Sequence, residues 1–451
     1  MSEHFKLTRI PSLKTVEAFQ EHIESLDINI PCDREVIKNA SPISLPLNKI
    51  KINGKTVGNR VAIHPMEGWD GTTEGGVTDP MRRRWQRFGE SGAKLICGGE
   101  AMAVRPDGRA NPNQLIINEA NQRGIAGLRD ILLSAHKEKF GRTEDLAIGF
   151  QITHSGRFCR PNEKFTYEPK IAYRHPILDE KFNVQGDQDV LIDAELDELV
   201  IDYVKATRIA REVGADFVDI KHCHGYLLHE LLGAHTREGR YGGNFENRTR
   251  MLREIVTAIR ADGNDIDLAV RLSTFDMVPH RPDPERSHSD KLGPGIPVEH
   301  EVPFPYQFGV DHEEPTKINL KETFDFVNLC SELGIKLINT TAGSPYYTPH
   351  LQRPAAYPPS DGYQPAYDPL IDVARQIEVV RELKKQLPDG MAIIASGLSY
   401  LQEYLPHVCQ ALLREQWADC VGLGRVVLSY PNVLAVAIER GSLEKRMICR
   451  T

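Results

Sequence analysis

Five side chains able to do chemistry crowd into VDIKHCHGYLL, Val218 to Leu228: Lys221, His222, Cys223, His224 and Tyr226. The run follows an apolar stretch that reads as a buried strand, and Gly225 lets the chain turn out of it. Strict alternation would send Lys221 and Cys223 one way and His222 and His224 the other, unless the strand ends after Lys221. Three chemistries fit these residue types. A strand terminus can simply carry hydrogen-bonded polar groups. His222-x-His224 can form a metal pair completed by His229 or His154, as in barrel hydrolases. The group can also face a planar substrate as hydrogen-bond donors, with the Tyr226 hydroxyl as a proton source.

The elements that must position these residues follow a repeated phrase, in which an amphipathic helix runs through a short turn into a compact apolar strand. It occurs as ESGAKLICGG, EVGADFVDIK, ELGIKLINTT and EQWADCVGLG, three of them with glycine at the turn, where a left-handed residue ends a helix at little strain. Before the second copy, Leu196, Leu199, Val200, Tyr203, Ala206 and Ala210 recur at helical spacing. Strands apolar on both faces are read at 61–65, 94–98, 147–152, 217–220, 268–273, 336–340, 391–396 and 419–423. Eight such units predict an α/β fold, a (β/α)8 TIM barrel. Asn53-Gly54 in KINGKTV predicts an N-terminal hairpin that caps the barrel floor. From about Pro279 to Pro315 the chain is rich in Pro, His, Asp and Glu without periodicity, and is read as a loop over the mouth.

Composition places limits on function. A length of 451 residues suits one barrel with insertions, and 40% hydrophobic with 26% charged residues describes an ordinary globular protein. A formal net charge of -8 argues against a nucleic-acid partner. No apolar run is long enough to span a bilayer, and MSEHFKLTRI lacks a signal core, so no membrane association and a cytoplasmic location are expected. The eight cysteines form no C-x-x-C pair, which fits reduced thiols.

VDIKHCHGYLLHELL followed by RYGGNFENRTR strongly resembles the Old Yellow Enzyme family of FMN-dependent oxidoreductases, and the likeness runs from NRVAIHPM to VGLGRVVLSYP. The resemblance implies FMN as cofactor, NADH or NADPH as electron donor, and a small-molecule substrate. It places Pro65, Met66 and Glu67 against the reactive edge of the flavin, with Glu67 a departure from the usual small residue. Ala101 in GGEAMAVRPDGR would let the ring approach the backbone, with Glu100 beside it either buried support or an ordinary strand-end carboxylate. Gln151 in FQITHSGR would bond the pyrimidine, since an amide offers both donor and acceptor. Arg271 in AVRLS would stabilise negative charge on the N1/O2 side; a structural carboxylate is the alternative partner for a buried arginine.

MAIIASGL and ADCVGLGR would form the phosphate cup from Gly397, Leu398, Gly424 and Arg425. Glycine permits close approach by the backbone, and arginine binds phosphate oxygens bidentately. The resemblance further implies catalytic roles for Tyr226, His224 and Lys221: Tyr226 protonates the α-carbon of an activated alkene while Lys221 and His224 hold the carbonyl oxygen. The family carries histidine where this chain has Lys221, which points to an acidic, thioester or otherwise electron-rich acceptor; His222 taking over that role is the alternative. Trp69, Tyr346 and Tyr347 stand as substrate contacts or as loop packing.

The reaction expected is reduction of a C=C bond conjugated to a carbonyl or carboxylate. Oxidative attack on C–N or C–H bonds is the nearest alternative, and a metal-dependent barrel hydrolase a remote one. No metal is expected. Oxidative relatives commonly add an iron–sulfur motif and a dinucleotide domain, whereas Cys449 has no cysteine near it in sequence. The expected organisation is one FMN-binding domain over 1–451, with an extension at 1–45, an insertion loop at 277–320 and a helical tail at 426–451; truncation of a longer chain and homo-oligomerisation stay open.

Overall fold

The computed structural model describes residues 7–289, 291–357 and 362–449. Eight parallel strands close a barrel: β1 Val61–Ile63, β2 Leu95–Ala103, β3 Ala147–Thr153, β4 Phe217–His222, β5 Asp267–Ser273, β6 Leu337–Thr341, β7 Ala392–Ala395 and β8 Cys420–Leu423. Closure comes from β8 pairing with β1, Val421 opposite Val61 and Leu423 opposite Ile63. Nearly every strand position is buried, because the inner face packs in the barrel and the outer face meets a helix. Those helices are α1 Asp79–Glu90, α2 Gln122–Phe140, α3 Asp193–Glu212, α4 Arg250–Ala261, α5 Lys321–Glu332, α6 Leu370–Lys385, α7 Leu405–Arg414 and α8 Val433–Arg440. The fold is thus the TIM barrel read from the repeated phrase.

That phrase works through backbone conformation. Gly92, Gly214 and Gly334 all have positive φ where helix turns into strand, and in the fourth copy Gln416 takes the same left-handed conformation at φ 59°. A non-glycine residue there carries a steric penalty, which burial of the following strand outweighs. In α3, Leu196, Leu199, Val200, Tyr203, Ala206 and Ala210 form the buried face.

The floor is closed by an antiparallel hairpin, Leu47–Ile52 with Lys55–Val57, turning at Asn53 (φ 48°) and Gly54 (φ 74°). Leu47, Ile50, Ile52 and Val57 pack with Leu95, Ala147, Phe217, Ala269, Leu337 and Ala392 at the starts of the strands. The turn is anchored where Asn53 Nδ2 donates to Asp216 (2.8 Å) and Asn53 N to Asp267 (2.7 Å).

In the N-terminal segment a helix, Val16–Ser25, stacks Phe19 on Tyr404 at 4.2 Å between centroids. The segment after β5 holds a short antiparallel ribbon, His280–Pro282 against Gly295–Pro297, whose three-residue strands are too brief to show periodicity. Residues 1–6, 290 and 450–451 of the three segments expected beside the barrel body lie outside the described residues. Among the described residues no helix is long and apolar enough to cross a membrane.

Candidate active site

A cavity with about 460 Å³ of water-accessible space opens at the C-terminal ends of the strands, within the range usual for small-molecule sites. It is lined by residues from the barrel strands and the loops that follow them, and each is delivered by an identifiable local device.

On β2 the device is a bulge. Cys97 pairs with Gly149 and Ala101 with Gln151, so β2 spends two more residues than β3 over that interval. Gly98 (φ 116°) and Gly99 (φ 53°) carry the detour, and a Cβ at Gly98 would meet the Gln151 nitrogen at 2.7 Å. The detour leaves Ala101 on the cavity wall and buries Glu100 beneath the loop after β1. Glu100 accepts from Gly68 N–H at 2.6 Å and is ion-paired with Arg84, which also reaches Asp70 at 2.6 Å. Burial pushes the Glu100 carboxyl up to about 7, against the pull of Arg84. Glu100 is therefore the buried support for the loop that carries Glu67 and Trp69. Trp69 stands at the cavity mouth, half exposed, with the Arg160 guanidinium 4.8 Å from its ring.

On β3 to β5 the device is register. Gln151 lies opposite Asp219, and Lys221 opposite Arg271. Arg271 N–H donates to Asp219 at 2.9 Å, and Arg271 Nη1 donates to the Pro65 carbonyl at 3.1 Å. Burial raises the Asp219 carboxyl to about 6, with Arg271 opposing the rise. Gln151 Nε2 and Arg271 Nε are buried without a hydrogen-bond partner, yet both residues line the cavity. Two orphaned donors on one wall suit a ligand edge rich in acceptors.

At the end of β4 the alternation fails. The strand stops at His222, and His224 adopts φ 66°, which swings its ring back to the side where Lys221 already points. The turn is held by His224 N–H to Ser273 Oγ (3.0 Å), by Ser344 Oγ to the His224 carbonyl (2.8 Å), and by Gly225 N–H to His229 (2.8 Å). Burial, reinforced by Arg271 and Lys221, keeps the His224 imidazole far below its ordinary value, hence neutral. Burial also lowers the Lys221 ammonium and, together with Glu67, drives the Tyr226 phenol well up. The Tyr226 hydroxyl donates to the Glu67 carboxylate and lies 3.0 Å from the Tyr346 hydroxyl.

The far end of the cavity is cationic. Gly397 (φ 77°), Gly424 and Arg425 line it, joined by Ser396, Ser399 and Arg353. A Cβ at Gly424 would meet nothing within 4 Å, so the space over it is open. Burial, then Arg353 and Arg271, lower the Arg425 guanidinium to about 10. An arginine on the cavity wall, partly open to solvent and beside other cations, is a site made for an anion.

Three expected contacts are not brought to this wall. His222 points outward onto α5, where its ring lies 5.4 Å from that of Phe326 and its Nδ1 3.1 Å from the Ile220 carbonyl. It takes over no role from Lys221, and the His222/His224 metal pair is not assembled, since the two rings face opposite sides of the strand end. Tyr347 turns away to donate to Asp276 at 2.5 Å, and Leu398 sinks into the core while its neighbours Gly397 and Ser399 face the cavity. Among the described residues no three His, Cys, Asp or Glu side chains are grouped to hold a metal. Sequence reading missed His64, which is buried against Gly422 on the cavity wall, and Arg353.

The family model described as NADH:flavin oxidoreductase / NADH oxidase family matches residues 47–284, from the floor hairpin into the loop after β5. The chain belongs to this family. An NADPH dehydrogenase of Geobacillus sp. (strain WCH70) is 26% identical over 391 residues, covering 84% of this chain and 89% of that protein. The solved 2-naphthoyl-CoA reductase in complex with 2-naphthoyl-CoA superposes with a TM-score of 0.62 at 18% identity, over 88% of this chain and 52% of that one. The old yellow enzyme homologue from Zymomonas mobilis does so with 0.57 at 19%, over 91% and 97%. This member of the NADH:flavin oxidoreductase family is an FMN-dependent oxidoreductase of the Old Yellow Enzyme type that takes electrons from a nicotinamide donor. The cavity fits such a cofactor in its own terms: unpartnered donors on Gln151 and Arg271 at one end, and open backbone at Gly424 beside Arg425 at the other.

Proposed function

We propose that this oxidoreductase reduces an alkene activated by a conjugated carbonyl, carboxylate or thioester. The observation that carries the reading is the convergence of Lys221, His224 and Tyr226 on the cavity wall next to Gln151 and Arg271. In this reading Gln151 meets the pyrimidine edge of FMN and Arg271 the N1/O2 side. Pro65, Met66, Glu67 and Ala101 lie along the ring, and Gly397, Gly424 and Arg425, with the backbone at Leu398, receive the phosphate. FMN, when bound, supplies hydride transfer from the nicotinamide to the β-carbon of the substrate.

The chain's own residues then handle charge and proton. Neutral His224 offers a directed N–H to the substrate carbonyl oxygen, and Lys221 an ammonium that favours the negative charge developing there. Tyr226 holds the proton for the α-carbon, and its burial keeps it a phenol until the enolate forms. Trp69 and Tyr346 wall the mouth. The 2-naphthoyl-CoA bound by the structural neighbour carries its carbonyl in a thioester, an acceptor of the electron-rich kind that a lysine at position 221 suits.

The test is direct. Purified protein should be yellow, bleach with NADPH or NADH, and recover its colour on mixing with members of a panel of enones, enoates and enoyl thioesters. Protein that bleaches but recovers only with oxygen sinks the reading. A carboxylate beside Tyr226 gives one observation in favour of the oxidative direction, since it can accept a proton; a screen of N-methylated compounds with an artificial acceptor separates the two. The setting we infer is cytoplasmic, supported by six buried cysteine thiols outside any disulfide: Cys97, Cys159, Cys223, Cys330, Cys409 and Cys420.

A further inference from the structure

Glu67 follows Pro65 and Met66 in the loop after β1, and its carboxylate accepts the hydrogen bond of the Tyr226 hydroxyl. The loop that holds it is pinned on both sides, Gly68 N–H to Glu100 at 2.6 Å and Asn111 Nδ2 to the Gly68 carbonyl at 3.0 Å. The groups facing Glu67 are Tyr226 from the turn after β4, Lys221 from the end of β4, Tyr346 from the loop after β6, with Arg160 behind Tyr346, and the Asn111 amide, which donates to Glu67 at 3.5 Å. Tyr226 is 3% exposed, whereas Glu67 is only partly buried and lies on the cavity surface.

This pairing changes what Tyr226 can do. A buried phenol that gave up its proton alone would leave a phenolate in a poorly solvated spot, hydrogen-bonded to a carboxyl group that lies closer to solvent. The negative charge is better placed on the more exposed carboxyl than on the phenol oxygen, so the proton is replaced as it leaves. Protonated Glu67 is the group in position to replace it.

We propose that Glu67 relays protons through Tyr226: as Tyr226 protonates the substrate α-carbon, Glu67 passes its own proton to the Tyr226 oxygen. This rests on the reading of Tyr226 as proton donor to an activated alkene. The Tyr226 O–H and Glu67 O–H bonds break, and an α-C–H bond and a new Tyr226 O–H bond form. The hydride at the β-carbon comes from the cofactor chemistry already assigned, so the alkene gains two electrons. The remaining carboxylate, on the more exposed side of the pair, recovers its proton from solvent. Reduction therefore consumes the Glu67 proton, and the same pair run backward accepts one, which serves the reverse reaction.

The test uses Glu67→Gln, which keeps a hydrogen-bond acceptor for Tyr226 and removes the acid. FMN-loaded protein is reduced with NADPH and then mixed with cyclohexenone, so the two half-reactions are read separately. Reoxidation by the enone should slow about a hundredfold more than reduction by NADPH does, and its pH profile should change; Glu67→Asp should restore part of the rate and of the profile. In cofactor-free protein, removing the carboxylate charge should move the Tyr226 phenolate absorbance change to lower pH, with Tyr226→Phe identifying the signal. Glu67→Gln protein that keeps the wild-type reoxidation rate and pH profile overturns the relay alone. Wild-type reduced protein that never transfers to an activated alkene overturns the reading of Tyr226 and the relay with it.

Discussion

The Lys221 ammonium sits 3.3 Å from the centroid of the Tyr226 ring, so the cation at the end of β4 and the phenol of the following turn share one wall of the cavity. Packing of this kind holds both side chains in place, and a partly desolvated cation over an aromatic face contributes about 0.5–2 kcal/mol. Lys221→Met keeps the stem and removes the charge. We expect kcat/KM for an enoate or enoyl thioester to fall about tenfold or more beyond the fall for a neutral enone, a difference worth about 1.4 kcal/mol. Equal losses on both substrate types, with flavin content intact, would refute a charge-selecting role.

Arg425 should prove a liability to the cofactor-free chain. Desolvation within the cavity, then Arg353 and Arg271, lower its guanidinium to about 10, below its ordinary 12.5, so under about pH 10 the folded protein holds a mildly disfavoured charge whose cost solvent contact reduces. Arg425→Gln should raise the melting temperature of the cofactor-free protein only slightly, because solvent screens much of the repulsion. The same change should weaken FMN binding by about tenfold to a hundredfold, the value of a charge-assisted hydrogen bond or two. Differential scanning calorimetry and a flavin fluorescence titration check the two halves of the expectation.

Two glycines of β8 and its exit make a matched pair. A methyl at Gly424 meets nothing within 4 Å, while one at Gly422 would lie 2.0 Å from the His64 ring. Gly424→Ala should leave the cofactor-free protein as stable as wild type and lower its affinity for FMN, because the methyl intrudes where a phosphate would approach the backbone. Gly422→Ala should destabilise the protein itself, by about 1–3 kcal/mol as overpacking usually does. Denaturant melts of both variants, with and without FMN, distinguish them.

Asp276 sets a pH dependence of stability. Burial raises its carboxyl from 3.8 to about 7, although Tyr347 donates to it at 2.5 Å. Between those values the folded protein holds a proton that the unfolded chain has lost. The stabilising contribution is therefore fully present below about pH 4 and disappears as pH rises toward 7. Glu100, Asp219 and Asp372 are displaced in the same direction. Asp276→Asn should reduce, without abolishing, the loss of stability between pH 4 and 7 in denaturant melts. An unchanged slope would mean that the carboxyl is not held protonated.

The barrel was legible because its signals are local. Apolar strands, helix stripes and left-handed turns recur in one order, and each is decided within about ten residues. Much of the site was legible for a different reason, its likeness to a family over β3, β4, β5, β7 and β8. What failed was geometry decided by long-range contacts. Alternation alone separates Lys221 from His224, and only the positive φ of His224, braced by Ser273 at the end of β5 and Ser344 in the loop after β6, reunites them. Tyr346 and Tyr347 are adjacent in sequence, yet Asp276 draws the second away while the first meets Tyr226. His222 gave no hint that Phe326, about a hundred residues on, would receive it. Arg353 had a faint signal, a cation between prolines in the loop after β6, and His64 only its place before Pro65.

The hairpin under the barrel bears on kinetics as much as on packing. With Leu47, Ile50, Ile52 and Val57 corking the lower end, the interior has no through-passage. Electron donor and electron acceptor must come and go by the rim beneath Trp69, and a visitor seated beside Tyr226 bars the next. Turnover is then expected to be a queue: the oxidised nicotinamide departs before the electron acceptor arrives, and double-reciprocal plots at several donor concentrations should run parallel instead of converging.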